Sequence, residues 1–383
     1  MIRKFKIILP IIFVFSLFTS FQQYAKSDPK DKVLLTILKY VLTQGHYQPK
    51  EINDTFSENV YDDFLKDLDP SKRYFLQSDI DEFSKYRSQI DDQIKSEDLT
   101  FFHTVYERFK QRSEEAKAFY KDILVNEFNF EADDVLDVDY DKRPYAKNNK
   151  DLMTIWGKQL KFSTLSRLYD KINIEDDKYK EDKSYVKKTY AILEKEARDA
   201  TLTNMDDFYI RFDELNHSDW FSTFINCITE EFDPHTTYLN ASSKKRFDIS
   251  MAGKLEGIGA RLQKKNDYTK VSELIAGGPA WKQGELEAED LIIKVAQGDE
   301  EPVDIVGMRL DDAIEYIKGK KGTEVRLTVK KIDGSIKVIP IIRDVVELEE
   351  TFVKSTVVNK DGRKFGVIDL PRFYIDFDEK NYR

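Results

Sequence analysis

Leu255-Glu256-Gly257-Ile258-Gly259-Ala260-Arg261-Leu262 sets two glycines, one residue apart, directly before a short run fit for a strand. The glycines let the backbone bend sharply and leave amide groups unobstructed by side chains. A loop of this kind can hold a carboxylate. Downstream, Ile275-Ala276-Gly277-Gly278-Pro279-Ala280-Trp281-Lys282-Gln283-Gly284 reads as a turn, a short helix opened by Pro279 and a glycine that ends it. Asp290-Leu291-Ile292-Ile293-Lys294-Val295 follows as a strand rich in β-branched residues.

Further along, Leu310, Ala313, Ile314 and Ile317 fall at helical spacing, and Gly319 stands where a C-terminal cap belongs. Val325, Leu327 and Val329 alternate with Arg326, Thr328 and Lys330, and Asp333-Gly334 turns the chain back through Ile336, Val338 and Ile339. Residues 254–344 therefore read as a small β-rich domain with two helices, of the PDZ kind. A strand beside an apolar helix, closed at one end by glycine-loop amides, can take an extended peptide as an added strand. The candidate peptide-binding residues are Leu255, Gly257, Ile258 and Gly259 in the carboxylate loop, Ala260, Arg261 and Leu262 in the pairing strand, and Leu310, Ile314 and Ile317 as the apolar wall. The competing reading of those last three is that they fill the domain's own interior. Arg309-Leu310 puts no histidine at the start of the wall, so apolar residues, not hydroxylated ones, are expected near the ligand's C-terminus.

Outward from this module, 383 residues with 40% hydrophobic and 34% charged content leave room for about two or three domains with real interiors. A net charge of −10 argues against a nucleic-acid partner, which needs a concentrated basic face. At the N-terminus, Arg3, Lys4 and Lys6 precede an apolar run over residues 7–18, followed by Gln22, Gln23 and Lys26. That is the layout of a secretory signal, expected over residues 1–25, and too short to span a bilayer comfortably. No stable membrane insertion is expected beyond it. Cys227 is the one cysteine, which leaves no intrachain disulfide and reads as a small buried side chain.

From residue 31 the pattern is helical. Leu34, Ile37, Leu38, Val41 and Leu42 share one face, and Phe56, Val60, Phe64 and Leu68 another. Asp69-Pro70 stops the second helix. Ser78 with Asp81 resembles a capping pair ahead of Phe83, Tyr86 and Ile90, and Phe101, Phe102, Val105, Tyr106 and Phe109 mark a further helix. Asp137, Asp139 and Asp141 alternate as calcium ligands do, but Lys142 and Asn148 stand where a glycine and a glutamate would be needed, so the run reads as a solvated loop. Trp156, Leu160, Leu165 and Leu168 resume the helical pattern, and residues 170–198 read as an exposed charged helix or hairpin. Phe208, Phe212, Leu215, Trp220, Phe221, Phe224, Ile225 and Ile228 complete the buried faces. His235 in Phe232-Asp233-Pro234-His235 reads as a surface side chain at a helix stop.

Three regions in one order now point to a family. Phe232-Asp233-Pro234-His235-Thr236-Thr237-Tyr238-Leu239, the glycine loop, and Leu310-Asp311-Asp312-Ala313-Ile314 through Lys318-Gly319-Lys320-Lys321-Gly322-Thr323 resemble the tail-specific, or carboxyl-terminal-processing, proteases, in their long bacterial form. The resemblance implies an α+β chain: a helical domain over residues 31–235, a PDZ domain over 240–345, and the start of an α/β protease core over 346–383. It implies a serine nucleophile with a lysine base, C-terminal tails of substrate proteins as partners, an unknown adaptor, no cofactor, and a periplasmic or cell-envelope location. Phe365-Gly366-Val367-Ile368-Asp369-Leu370-Pro371-Arg372-Phe373-Tyr374 reads as the first core strand, buried and unpaired within the chain. The family's serine and lysine stretches are absent, so no catalytic residue and no metal ligand is assigned, and the chain reads as the front part of an enzyme, inactive by itself. The alternative is a stand-alone PDZ adaptor without catalysis.

Overall fold

The computed structural model describes residues 28–347, 353–373 and 375. The expected signal segment and the expected core residue Tyr374 lie outside that set. The chain divides into two compact units between Tyr238 and Leu239.

The first unit is helical. Helix α1 (Pro29–Tyr40) has Pro at its first turn and the Asp28 carboxylate accepting the Lys30 amide, and a π-helical turn, Val41–Gly45, extends it. Here the expected apolar face is corrected: Ile37 and Val41 are exposed, and Leu35, outside the expected set, is fully buried with Leu42. The run is apolar on more than one side, so spacing alone does not choose the face that meets the core.

Helix α2 (Asp54–Leu68) is capped by Asn53 and buries Phe56, Val60, Phe64 and Leu68 as expected. Helix α3 (Gln77–Phe83) follows, with Ile90–Ser96 as α4 and Thr100–Leu124 as α5. The cap of α3 also differs from expectation. Asp79, not Asp81, reaches back to accept the Leu76 amide at 2.9 Å, because Asp79 is the third residue of the helix and geometry favours that position. Asp79 is fully buried and takes charged hydrogen bonds from Arg112 and Arg108.

Aromatic rings fill the interior. Phe64 meets Phe224 edge-on at 5.1 Å between centroids, and Phe102 meets Phe221 at the same separation, contacts worth about 0.5–1.5 kcal/mol each beyond their buried area. Helix α8 (His217–Glu230) supplies Phe221, Phe224, Ile225 and Ile228 to this core. Cys227 is buried there as well, and His235 is exposed.

The charged stretch is a helical hairpin. Helix α6 (Asn149–Glu181) and α7 (Tyr190–Asp213) pack through Leu168, Leu193 and Ala197. Near its tip the buried carboxylate of Glu175 accepts the Tyr185 hydroxyl, the Lys188 amide and the Lys178 ammonium.

The second unit opens with α9 (Ala241–Ala252), capped by Asn240 and closed by Gly253 in the left-handed region. Strands β1 (Lys254–Gly257), β2 (Ala260–Lys265) and β3 (Tyr268–Leu274) follow, then α10 (Pro279–Gln283), with Pro279 at its start and Gly284 as a left-handed cap. Next come β4 (Leu291–Gln297), β5 (Val303–Asp304) and α11 (Leu310–Ile317). The hairpin of β6 (Glu324–Lys330) and β7 (Ile336–Ile342) leads to β8 (Asp344–Glu347). The main sheet runs β2-β3-β4-β6-β7, with β5 on β4, while β1 pairs with β8. Val325, Leu327 and Val329 are fully buried, each contributing on the order of 1.5–3 kcal/mol of burial.

Gly319 departs from its expected role. The cap of α11 is Lys318 in extended geometry, and Gly319 does not adopt a positive φ.

Finally, β9 (Lys354–Lys360) and β10 (Arg363–Asp369) form an antiparallel hairpin whose turn places Asp361 and Gly362 at positive φ, as a two-residue turn requires. The strand expected over 365–374 is therefore present only as far as Asp369; it is paired to the run before it, and every residue of both strands is exposed in the described structure. Val357, Phe365, Val367 and Ile368 are among its exposed apolar side chains.

Candidate functional site: the groove between the edge strand and the second-unit helix

A sheet in the order β2-β3-β4-β6-β7 has two edges. On β7 the edge carries Pro340, which lacks an amide donor and discourages pairing. Among the described residues β2 pairs on one side only, with β3, in the register Ala260↔Leu274 and Arg261↔Glu273, with a shift before Leu262. Helix α11 lies against β2. An open strand edge beside a helix is the setting in which a peptide can pair main chain to main chain.

The loop that closes this groove is built by packing. Gly259 sits at φ +72°, a conformation that side chains rarely adopt. A Cβ there would stand 3.1 Å from Gly278 Cα, 3.2 Å from Pro279 Cδ and 3.3 Å from Val346 Cγ2. The loop's carbonyls are already engaged: Ile258 O accepts the Ala280 amide at 2.8 Å, and Gly259 O accepts the Ile275 amide at 2.9 Å. Among the described residues, the amides of Ile258 and Gly259 find no acceptor. They are oriented donors on which an anion can sit.

The candidate residues separate into two sets. Leu255, Ala260, Leu262, Leu310 and Ile314 are half-buried, the state of a wall with one side open. Ile258 and Ile317 are 3% and 2% exposed and belong to the domain core with Ala313 and Val271. Ile317 is thus corrected from wall to core: α11 turns Ala313 and Ile317 inward and leaves Leu310 and Ile314, one turn apart, at the boundary. Ile258 offers its amide, not its side chain. Gly257 is buried in β1 opposite Asp344. Arg261 is exposed and pairs with Glu273 at 3.4 Å.

Three features escape the sequence reading. Helix α9 lies alongside α11, with Arg246 to Asp311 at 2.7 Å and Lys245 to Glu315. Its residues have no clean apolar period, so spacing gives no signal. Between α9, β1 and the end of α11 is a cleft of about 650 Å³ lined by Ile249, Ala252, Leu255, Glu315, Lys318 and Val345, among others. Arg343, 2% exposed, donates to Ile317 O at 2.9 Å, Thr323 Oγ1 at 2.9 Å and Gln297 Oε1 at 2.7 Å. Burial pushes its guanidinium below the usual arginine range, yet it faces the negative end of α11.

Among the described residues, no group of three or more His, Cys, Asp or Glu side chains is placed to hold a metal ion. No described helix is long and apolar enough to cross a membrane.

The sequence profile of the tail-specific protease N-terminal domain matches residues 38–242, and that of the PDZ domain matches residues 247–330. The chain belongs to the tail-specific protease family. It is 33% identical over 340 residues to a tail-specific protease of Haemophilus influenzae, covering 88% of this chain and 46% of that protein. It is 36% identical over 150 residues to a probable CtpA-like serine protease of Staphylococcus aureus, covering 39% of this chain and 27% of that one. Among solved structures, the PDZ domain of a carboxy-terminal protease from Vibrio cholerae, in complex with peptide, is 47% identical over 25% of this chain and 99% of that one, with a TM-score of 0.24. The chain spans less than half the length of these two curated relatives. Its α+β organisation, helical first and PDZ second, is that of the family's matched regions.

Proposed function

We propose that this chain is the N-terminal and substrate-selecting part of an exported serine endopeptidase that processes protein C-termini in the cell envelope. The observation that carries the reading is the open edge of β2 beside α11, closed by the Ile258–Gly259 turn after β1 with its unengaged amides. An extended C-terminus would add to β2 as a further antiparallel strand, its backbone supplying affinity. The last side chains would rest on Leu310, Ile314, Ala260 and Leu262, and the terminal carboxylate would meet the Ile258 and Gly259 amides. The apolar character of these side chains supports a preference for apolar tails.

Cleavage itself would need a serine nucleophile and a lysine base supplied beyond this chain. The solvent-exposed apolar side chains of the β9–β10 hairpin, Phe365 and Val367 among them, support a further segment packing there, since such surface normally meets a partner. The test is the intact mass of the native protein from its source cells, with an assay for cleavage of a protein substrate carrying an apolar C-terminus. A mass far above 45.0 kDa together with cleavage is expected. A native mass near 45.0 kDa and no cleavage would overturn the protease reading.

A further inference from the structure

Lys318 is the cap residue of α11 and lines the cleft beside β1. Its stem lies over Gly257, the last residue of β1 before the loop, with Cγ 3.9 Å from the position of a Cβ there. Among the described residues its ammonium has no hydrogen-bond or ion-pair partner within contact distance. The side chain is half-buried, and burial pushes the ammonium below the usual lysine range.

Other charges nearby explain why it stands alone. The carboxylates of the cleft are engaged: Glu315 by Lys245, Asp248 by Lys244, and Glu256 by the Lys321 amide at 3.3 Å. Asp311, four residues before Glu315 on the same helix, is taken by Arg246, and Asp344 by Lys321 at 2.7 Å. The helix-end carbonyls of Tyr316 and Ile317 are taken by Arg343. Basic residues of α9 thus engage Asp311 and Glu315 of α11, and a positive charge is left unmatched beside the loop whose amides are free. Such a group gains more from an incoming anion than a solvated lysine does, because part of its hydration is already lost.

We propose that the Lys318 ammonium forms an ion pair with the α-carboxylate of a peptide added to β2, so that it selects a free C-terminus over an internal or blocked one. The inference rests on the groove reading given above. The loop amides alone would donate to any oxyanion or carbonyl, whereas a lysine at the loop distinguishes charge from neutrality. Lys318 is therefore a specificity residue for the tail.

The experiment uses the whole 383-residue chain and one fluorescent peptide ending in Ala-Ala, as the free acid and as the C-terminal amide, with Kd read by anisotropy. The native protein should bind the acid about tenfold more tightly than the amide, a typical gain for a charge-assisted hydrogen bond at a partly desolvated site. Lys318→Met should weaken the acid about tenfold, leave the amide within about twofold, and so abolish the discrimination. Lys318→Arg should retain it. Far-UV circular dichroism and the thermal midpoint establish that each variant is folded. If Lys318→Met binds the acid as tightly as the native chain, the role of Lys318 is overturned and the groove reading stands. If the native chain binds neither peptide, the groove reading falls, and this inference with it. If acid and amide weaken equally in the variant, Lys318 shapes the groove without sensing charge, and the inference is overturned.

Discussion

The side chain of Arg343 lies against Gly319 so closely that a Cβ on the glycine would stand 2.8 Å from both Cζ and Nε of the arginine. From there the arginine donates to the carbonyls of Tyr316 and Ile317 at the end of α11. A buried guanidinium with no carboxylate partner among the described residues persists because those oriented carbonyls, with Gln297 and Thr323, replace its water. Arg343→Met should therefore lower stability by about 2–4 kcal/mol, since several acceptors lose their donor at once. Gly319→Ala should cost about 1–3 kcal/mol by displacing the guanidinium. Urea unfolding of both variants checks this, and a loss below about 0.5 kcal/mol for Arg343→Met would contradict it.

Gly259 fixes the loop. Its φ is +72°, and atoms of Gly278, Pro279 and Val346 all lie within 3.3 Å of where a Cβ would stand. Gly259→Ala should therefore destabilise the second unit by about 1–3 kcal/mol. It should also weaken peptide binding in the fraction that remains folded. Titration of an apolar-ended peptide at a temperature where circular dichroism shows full folding separates the two effects.

How much of this is legible in the sequence depends on where each residue's reason lies. Pro279 and Gly284 read correctly because a helix start and a left-handed stop are local matters. Gly319 reads locally as a cap, but its reason is Arg343, twenty-four positions on in the chain, which no local pattern encodes. Leu35 escapes because α1 is apolar on several sides and only tertiary contact chooses among them. Residues 365–369 of β10 are legible as a strand, though its end at Asp369 is not, and its partner Lys354–Lys360 is largely polar and gives no comparable signal. In the site, the glycine loop and the edge strand are visible in the sequence, while Lys318 is not. A single lysine at a helix end is ordinary until the fold removes its neighbours' free charges.

In the helical unit, Asp79 should be costly to replace. Burial opposes its charge, but hydrogen bonds from Arg112, the Leu76 amide and Arg108 outweigh it and hold its carboxyl below the usual range. Asp79→Ala would leave Arg112, a largely buried side chain, with Glu115 as its one remaining partner among the described residues, and would leave the Leu76 amide without its cap. The expected loss is about 3–5 kcal/mol, measured by denaturant unfolding. A loss under about 1 kcal/mol would contradict a structural role for this cluster.

Glu175 predicts a pH response. Hydrogen bonds from the Lys188 amide, the Tyr185 hydroxyl and Lys178 hold its carboxyl down to about 2, from an ordinary value of 4.5. A lowered folded-state value means that the stabilisation is fully present above the unfolded value and is lost as pH falls toward the folded one. The tip of the α6–α7 hairpin should therefore loosen between about pH 4.5 and 2. Glu175→Gln should remove that segment of the pH dependence. Amide exchange at Tyr185 and Lys188, followed across this range, reports it directly, and an unchanged profile in the variant would contradict it.

Selection of apolar C-termini by the β2 edge is tested by the dissociation constants of two free-acid peptides, identical except for ending in Ala-Ala or in Asp-Asp, titrated into the 383-residue chain. The Ala-Ala peptide should bind more tightly by about tenfold or more, because the two side-chain carboxylates of the other would have to be desolvated against Leu310 and Ile314. Equal affinity for the two peptides would contradict selection by this wall.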